Sequence, residues 1–276
     1  MNETRDGLDR LGKTPFRPGS DKPFIIGLAI LGGSYAVIIV AMIAADFAYV
    51  DSESMLKAIN SPEIQYSIVL SLLSCSLSTL FSLWIAVPLG YLTSRFEFRG
   101  KRFLDAILDI PIVLPPLVIG ISLLALFNFA PFSWTSEWVV FEVPGVILAQ
   151  FMVACAFATR AMRISFDQIP QRYEKVALTL GCNRGKAFWR VVMPQAKQGI
   201  LAAGTLAWAR SLGEFGPILV FAGSTRMRTE VLPTSVYLEM QAGNLKGMIA
   251  ISLIMIAAAA AVLVTSRLLG MKRLEP

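Results

Sequence analysis

Six apolar runs, at residues 24–45, 64–92, 103–127, 143–159, 199–222 and 247–266, alternate with polar segments along the chain. Each run approaches the roughly 20 residues that a helix needs to cross a hydrocarbon core about 30 Å thick. The pattern therefore predicts an all-α polytopic membrane protein with six transmembrane helices. Residues 1–23 read as a tail, 24–268 as the membrane domain and 269–276 as a second tail. The first run follows a charged stretch ending at Pro23 and is longer than a signal-peptide core, so it is expected to stay as a span. No internal repeat, low-complexity tract or long linker divides the chain.

Charge orients these spans. Arg5, Arg10, Lys13, Arg17 and Lys22 precede the first, and Arg95, Arg99, Lys101 and Arg102 follow the second. Arg160, Arg163, Arg172, Lys175, Arg184, Lys186, Arg190 and Lys197 follow the fourth, and Arg267, Lys272 and Arg273 follow the sixth. Lys and Arg accumulate on the cytoplasmic side of membrane proteins, so these segments and both termini are expected inside. Asp46, Asp51, Glu53 and Glu63, against a lone Lys57, mark an outer segment. Residues 128–142 hold no Lys or Arg but carry Trp134, Trp138 and Phe141, which suits aromatic anchoring at the outer interface. The mixed-charge segment around Arg226, Arg228 and Glu230 is also expected outside, as a loop with a short amphipathic helix.

Three stretches break the simple pattern. In the third run, IPIVLPPLVIGISLL, Pro111, Pro115 and Pro116 remove backbone donors and should kink or interrupt the helix. Such a break is tolerated only where protein or cavity water satisfies the freed carbonyls, so it serves either packing or a path. In the fifth run, residues 209–217 read ARSLGEFGP and set Arg210 and Glu214 deep in an apolar helix. A charge at that depth costs about 2.5–3.5 kcal/mol on insertion scales, so each should face a cavity or the other. Four residues apart, they are able to pair along one helix face. The alternative to a plain ion pair is a pore-lining constriction of Arg210, Gly213, Glu214, Phe215 and Gly216, with Pro115 and Pro116 from the third run. The third stretch, 173–194, is polar and basic between apolar runs. Val176, Ala177 and Leu180 share a face at helical spacing, Gly181 supplies a stop, and Phe188, Val191 and Val192 form a second stripe. Two short helices joined at a glycine are predicted inside a cytoplasmic loop at 163–197.

Composition removes most other classes. With 55% hydrophobic and 16% charged residues and a mean hydropathy of +0.62, the chain does not read as a soluble domain. The net charge of +6 lies in the segments expected inside, which leaves no surface to assign to nucleic acid. Histidine is absent, and Cys75, Cys155 and Cys182 lack ligand spacing, so no metal site and no imidazole chemistry are expected. Gly181 to Lys186 superficially suggests a phosphate loop, but the spacing is short and Ala187 stands where Ser or Thr would hold magnesium. Asp105, Asp109 and Glu214 would be the acids of an intramembrane enzyme, yet no nucleophile and base accompany them, and no catalytic residue is assigned.

The spacing from Ala177 through Gly181 to Val191 and Pro194 resembles the EAA loop of ABC importer permeases, which lies between helices four and five. Lys175-Val176 replaces that family's Glu-Ala pair, with Glu174 one position early. The segments IPIVLPPLVIG, ARSLGEFG and 223–244 are similar to the molybdate, tungstate and sulfate permeases, in which a small residue usually stands at the position of Pro217. The resemblance covers about 66–268. It implies a non-catalytic, multi-pass subunit of a prokaryotic inner membrane whose loop residues Glu174, Lys175, Ala177, Gly181, Val191 and Pro194 dock on a separate ATPase. It further implies a homodimer with the path between two permease copies, two ATPase subunits holding ATP and magnesium, an external solute-binding protein, surrounding lipid and no cofactor in this chain. The cargo implied is an oxyanion, with molybdate first and tungstate or sulfate beside it. Because the loop motif is widely shared, a polyamine, phosphate or ferric ion stays open.

Overall fold

The computed structural model describes residues 21–271, so the expected tails fall mostly outside it. Fourteen helices follow in order among the described residues: α1 (Lys22–Tyr49), α2 (Ser52–Asn60), α3 (Pro62–Arg95), α4 (Lys101–Val113), α5 (Pro116–Leu126), α6 (Ser136–Val139), α7 (Val143–Gln168), α8 (Gln171–Thr179), α9 (Arg184–Ala187), α10 (Met193–Gln195), α11 (Lys197–Leu212), α12 (Gly216–Phe221), α13 (Leu232–Gln241) and α14 (Leu245–Met271). A 3₁₀ turn at Phe132–Thr135 precedes α6, and a π turn at Phe188–Val192 joins α9 to α10. No strand occurs among the described residues.

By length and apolarity α1, α3, α7 and α14 are each able to cross a membrane, and α4 with α5 forms a fifth candidate bent by 113°. The six-span pattern is thus modified at two places. In the third run the break falls at Leu114-Pro115, whereas Pro111 stays inside α4. In the fifth run the single span expected over 199–222 is divided between α11, of 16 residues, and α12, of six. The cause is local: Gly213 ends α11, and Pro217 sits in the first turn of α12, where a missing N–H costs nothing. The fourth helix runs to Gln168 rather than Thr159, which puts Arg160 and Arg163 on its last turns instead of in a loop. Arg163 reaches Asp105 of α4 at 2.9 Å there.

The chain divides into residues 1–45 and 46–276. The first unit contributes most of α1, which carries no Asp, Glu, Lys or Arg from 24 to 45. In the second, α3, α7 and α11 pack on one another as the central bundle. The buried face of α3 is a row of hydroxyls, Ser67, Ser71, Ser74, Ser78 and Ser82, spaced at three or four residues. Ala149, Ala154 and Ala158 of α7 and Ala203 and Ala207 of α11, the helices packed on α3, are buried as well, a composition that lets membrane helices approach closely. Ser67 and Ser74 donate to carbonyls of their own helix, at Ile64 and Ser71. Ser78 Oγ lies 3.0 Å from Ser211 Oγ of α11.

The segment expected as an outer loop is more deeply held than its polarity suggests. Val231, Leu232, Thr234 and Ser235 are buried, and the Leu232 amide donates to Ser71 Oγ at 2.8 Å. Between α5 and α7, Trp134 and Trp138 are exposed, in keeping with the anchoring expected of 128–142.

Candidate functional site

Two regions collect the residues singled out in the sequence. The first is the basic loop. Helix α8 ends at Thr179, and Gly181 takes φ +86°, a left-handed conformation that strains any side-chain-bearing residue. The Cys182 amide then closes back on the Ala177 carbonyl at 3.0 Å. Asn183 caps α9 by accepting from the Lys186 amide at 2.8 Å. Two short helices joined at the glycine are therefore present. The stripe assigned to α8 needs correction, however: Ala177 is buried, but Val176 and Leu180 are exposed, Leu180 to 79%. With Tyr173 and Trp189 they form an outward apolar patch, edged by the exposed Arg172, Lys175, Arg184, Lys186 and Arg190. The inward face of α8 is carried by Glu174 and Ala177, three apart. Val192 is buried, Phe188 and Val191 are half-buried, and Pro194 is exposed in the first turn of α10.

Sequence reasoning missed the partners of Glu174. Its Oε1 accepts from the Tyr91 hydroxyl at 2.5 Å, and its Oε2 lies 3.5 Å from Arg95 Nε. The Tyr91 ring packs on Phe96, Phe166 and Phe188, with the nearest centroid, that of Phe188, at 4.6 Å. The Arg184 guanidinium stands over Phe96 at 5.0 Å. No local signal identifies such pairs, because 83 residues separate Tyr91 from Glu174.

The second region is the pair of breaks. Helices α5 and α12 pack along each other from adjacent starts, so that a methyl group on Gly216 would stand 3.1 Å from the Leu117 amide nitrogen. Pro115, as the N-cap of α5, and the exposed Pro116 border the same junction. Beside it, Arg210 Nη2 donates to Glu214 Oε1 at 2.6 Å. Glu214 is buried to 2% exposure, while about a third of the Arg210 side chain, 35%, stays open. The guanidinium carbon lies 4.8 Å from the Phe157 ring centre, a placement that favours a cation. Phe215 stacks at 5.3 Å on Tyr237. Gly213 is exposed at the break. The pair therefore forms as expected, but across a helix end rather than within a continuous helix.

The acids weighed for an enzyme do not converge. Asp105 and Asp109 line a cavity of about 290 Å³ with Thr93, Thr159, Arg160 and Asp167, and Glu214 is not among its lining residues. No group of metal-ligating side chains occurs among the described residues. In the outer segment, burial pushes the Glu230 carboxyl above the usual carboxylate range, opposed by a hydrogen bond from Ser235.

Comparison with known proteins places this geometry. Residues 86–276 match the family described as binding-protein-dependent transport system inner membrane component. The chain is 34% identical over 193 residues to the molybdate/tungstate transport system permease protein of Pyrococcus abyssi, covering 69% of this chain and 75% of that one. It is 32% identical over 253 residues to the molybdenum transport system permease protein of Mycobacterium bovis, covering 89% and 94%. The sulfate transport system permease protein of Escherichia coli is 28% identical over 207 residues, covering 73% and 75%. Among solved structures, a bacterial alginate ABC transporter superposes with a TM-score of 0.72 over 92% of this chain and 97% of that one, at 15% identity. The methionine transporter MetNI, in an inward-facing conformation, gives 0.58 over 77% and 98%, at 16% identity. At such identities these two matches show the fold. The family match and the relatives above 30% identity together show that the chain belongs to the binding-protein-dependent transport system inner membrane components.

Proposed function

We propose that this chain is the non-catalytic permease subunit of an ATP-driven importer that passes a tetrahedral oxyanion, molybdate or its close analogues tungstate and sulfate, into the cytoplasm. One observation carries the reading: the loop at 171–195 turns an apolar, basic-edged patch outward and fixes it with a left-handed glycine. An apolar patch rimmed by charge on a loop between membrane helices is a protein-docking surface. The partner is an ATPase that holds ATP and magnesium, since this chain has no phosphate loop of its own.

Six crossings complete the topology, with the fifth made of α11 and α12 and both termini inside. A second copy of the chain supplies the other wall of the path, and an external binding protein delivers the anion. The relatives named for molybdate, tungstate and sulfate support that choice of cargo. So does Arg210, whose planar guanidinium keeps donors free beside Glu214. Glu214 alone would repel a dianion, so its role is to hold Arg210 and the break in place.

The test is uptake by proteoliposomes that contain the permease with its ATPase and its solute-binding protein. ATP-dependent accumulation of labelled molybdate, competed by tungstate, is expected, and Leu180→Asp with Trp189→Asp should abolish ATPase capture while the permease stays in the membrane. A permease that captures no ATPase, or that retains it with both substitutions, would overturn the docking reading. Uptake confined to a cation would overturn the cargo.

A further inference from the structure

Helix α8 is joined to the rest of the chain at Ile169-Pro170 before it and at Gly181 after it. Between those two joints, side chains tie it to the membrane bundle. Glu174 is the one acid of the basic loop at 171–195 and is buried, at 8% exposure. Both residues that grip it come from one turn of α3: Tyr91 and Arg95 are four apart and share a face. The two side chains of the Arg95–Glu174 pair are only 6% and 11% exposed, so water competes weakly for it. Arg95 also donates through Nη2 to the Ile169 carbonyl at 2.8 Å, just past the last turn of α7. The Tyr91 ring adds Phe166 of α7 and Phe188 of the π turn to the same joint.

We infer that Tyr91, Arg95 and Glu174 are positioning residues that lock the docking helix α8 to α3, so that a displacement imposed on the loop is delivered to the gate through α3. The inference rests on the docking function proposed above and deepens it. Helix α3 is suited to the task. It is an unbroken run of 34 residues that passes through Pro88. From Tyr91 to Ser78, thirteen residues, it spans about 20 Å at 1.5 Å per residue. At Ser78 it meets Ser211, the neighbour of Arg210 in sequence, and at Ser71 it holds the Leu232 amide. One rod thus touches the loop, the residue beside the Arg210–Glu214 pair and the outer segment. The covalent route from loop to gate instead runs through α10 and the π turn, an irregular stretch with weaker regularity of hydrogen bonding.

The experiment has two arms. In the purified permease alone, Glu174→Gln and the milder Tyr91→Phe should raise amide exchange across 171–179 by about tenfold and leave 62–90 unchanged. In the full transporter, Tyr91→Phe, which lies on α3 outside the docking loop, should capture the ATPase and hydrolyse ATP within about twofold of the unaltered protein. Anion transported per ATP should fall about tenfold, a usual size for coupling between distant sites. A merely structural role would lower amount, hydrolysis and transport together. Unchanged exchange overturns the lock, and an unchanged ratio of transport to hydrolysis overturns the transmission. If the unaltered permease captures no ATPase, the docking function and the transmission fall together, while the exchange arm still decides the lock.

Discussion

Arg210 and Glu214 show how one buried carboxylate constrains its surroundings. Breaking a fully buried ion pair costs about 3–5 kcal/mol because one charge is left uncompensated. Here the guanidinium is about one third open, at 35%, so about 1–3 kcal/mol is expected for each single change, closer to the value of a partly solvated pair. Arg210→Met and Glu214→Gln should each lower the melting temperature and impair transport, with the double variant less destabilised than the two losses added together. A double-mutant cycle on thermal unfolding measures this, and strict additivity would mean that the contact contributes nothing. The pairing was legible in the sequence because the spacing of four is itself the geometric condition. The contact of Arg210 with Phe157 was not, since it joins α11 to α7 through packing alone. Glu174 was legible as a loop residue by its place in the motif. That it faces inward was hidden, because a carboxylate among basic residues reads as solvated until its partners on α3 are known.

At the scale of elements, glycine separates a tight junction from an open one. A methyl group on Gly120 would stand 2.9 Å from Pro217 Cα, against backbone that has nowhere to go. On Gly213 the nearest atom would be 3.6 Å away, at the Ala209 carbonyl. Gly120→Ala should therefore destabilise the α5–α12 pair by about 1–3 kcal/mol through overpacking, and Gly213→Ala should be close to neutral. Thermal melts of both variants, with uptake measured beside them, check the contrast, and equal effects would show that α5 and α12 are not held by this contact. Prolines announced the first break, and it falls after Leu114 rather than at Pro111 because Pro115 pushes Leu114 into extended backbone and Pro116 begins α5. The second break was weaker in sequence. The run ARSLGEFGP has two glycines and a proline, but its apolar flanks made a single span the simpler reading. Similarly, Val176 and Leu180 share a helical face as expected, yet that face is the exposed one. Periodicity identifies a stripe and leaves open whether the stripe packs on its own chain or on another protein.

For the molecule as a whole, the distribution of Lys and Arg implies that the loop around Gly185 and both termini share the cytoplasmic side. A single cysteine at Gly185, in a background with Cys75, Cys155 and Cys182 replaced, should react with a membrane-impermeant maleimide only after the membrane is opened. Labelling in intact cells would reverse the topology. The hydroxyl row of α3 bears on the work of such a molecule. A transporter repacks its helices at every turnover, and an apolar interlocked seam would resist because methyl groups seated in holes must climb out of them. The seam carries few long side chains to unseat, but only Ser67 and Ser74 bond within α3, while Ser78 and Ser71 bond outward to Ser211 and the Leu232 amide. In mechanical terms α3 is a keyed shaft. Short side chains leave it little to unseat along α7, and two hydroxyl keys oblige α11 and the outer segment to move with it.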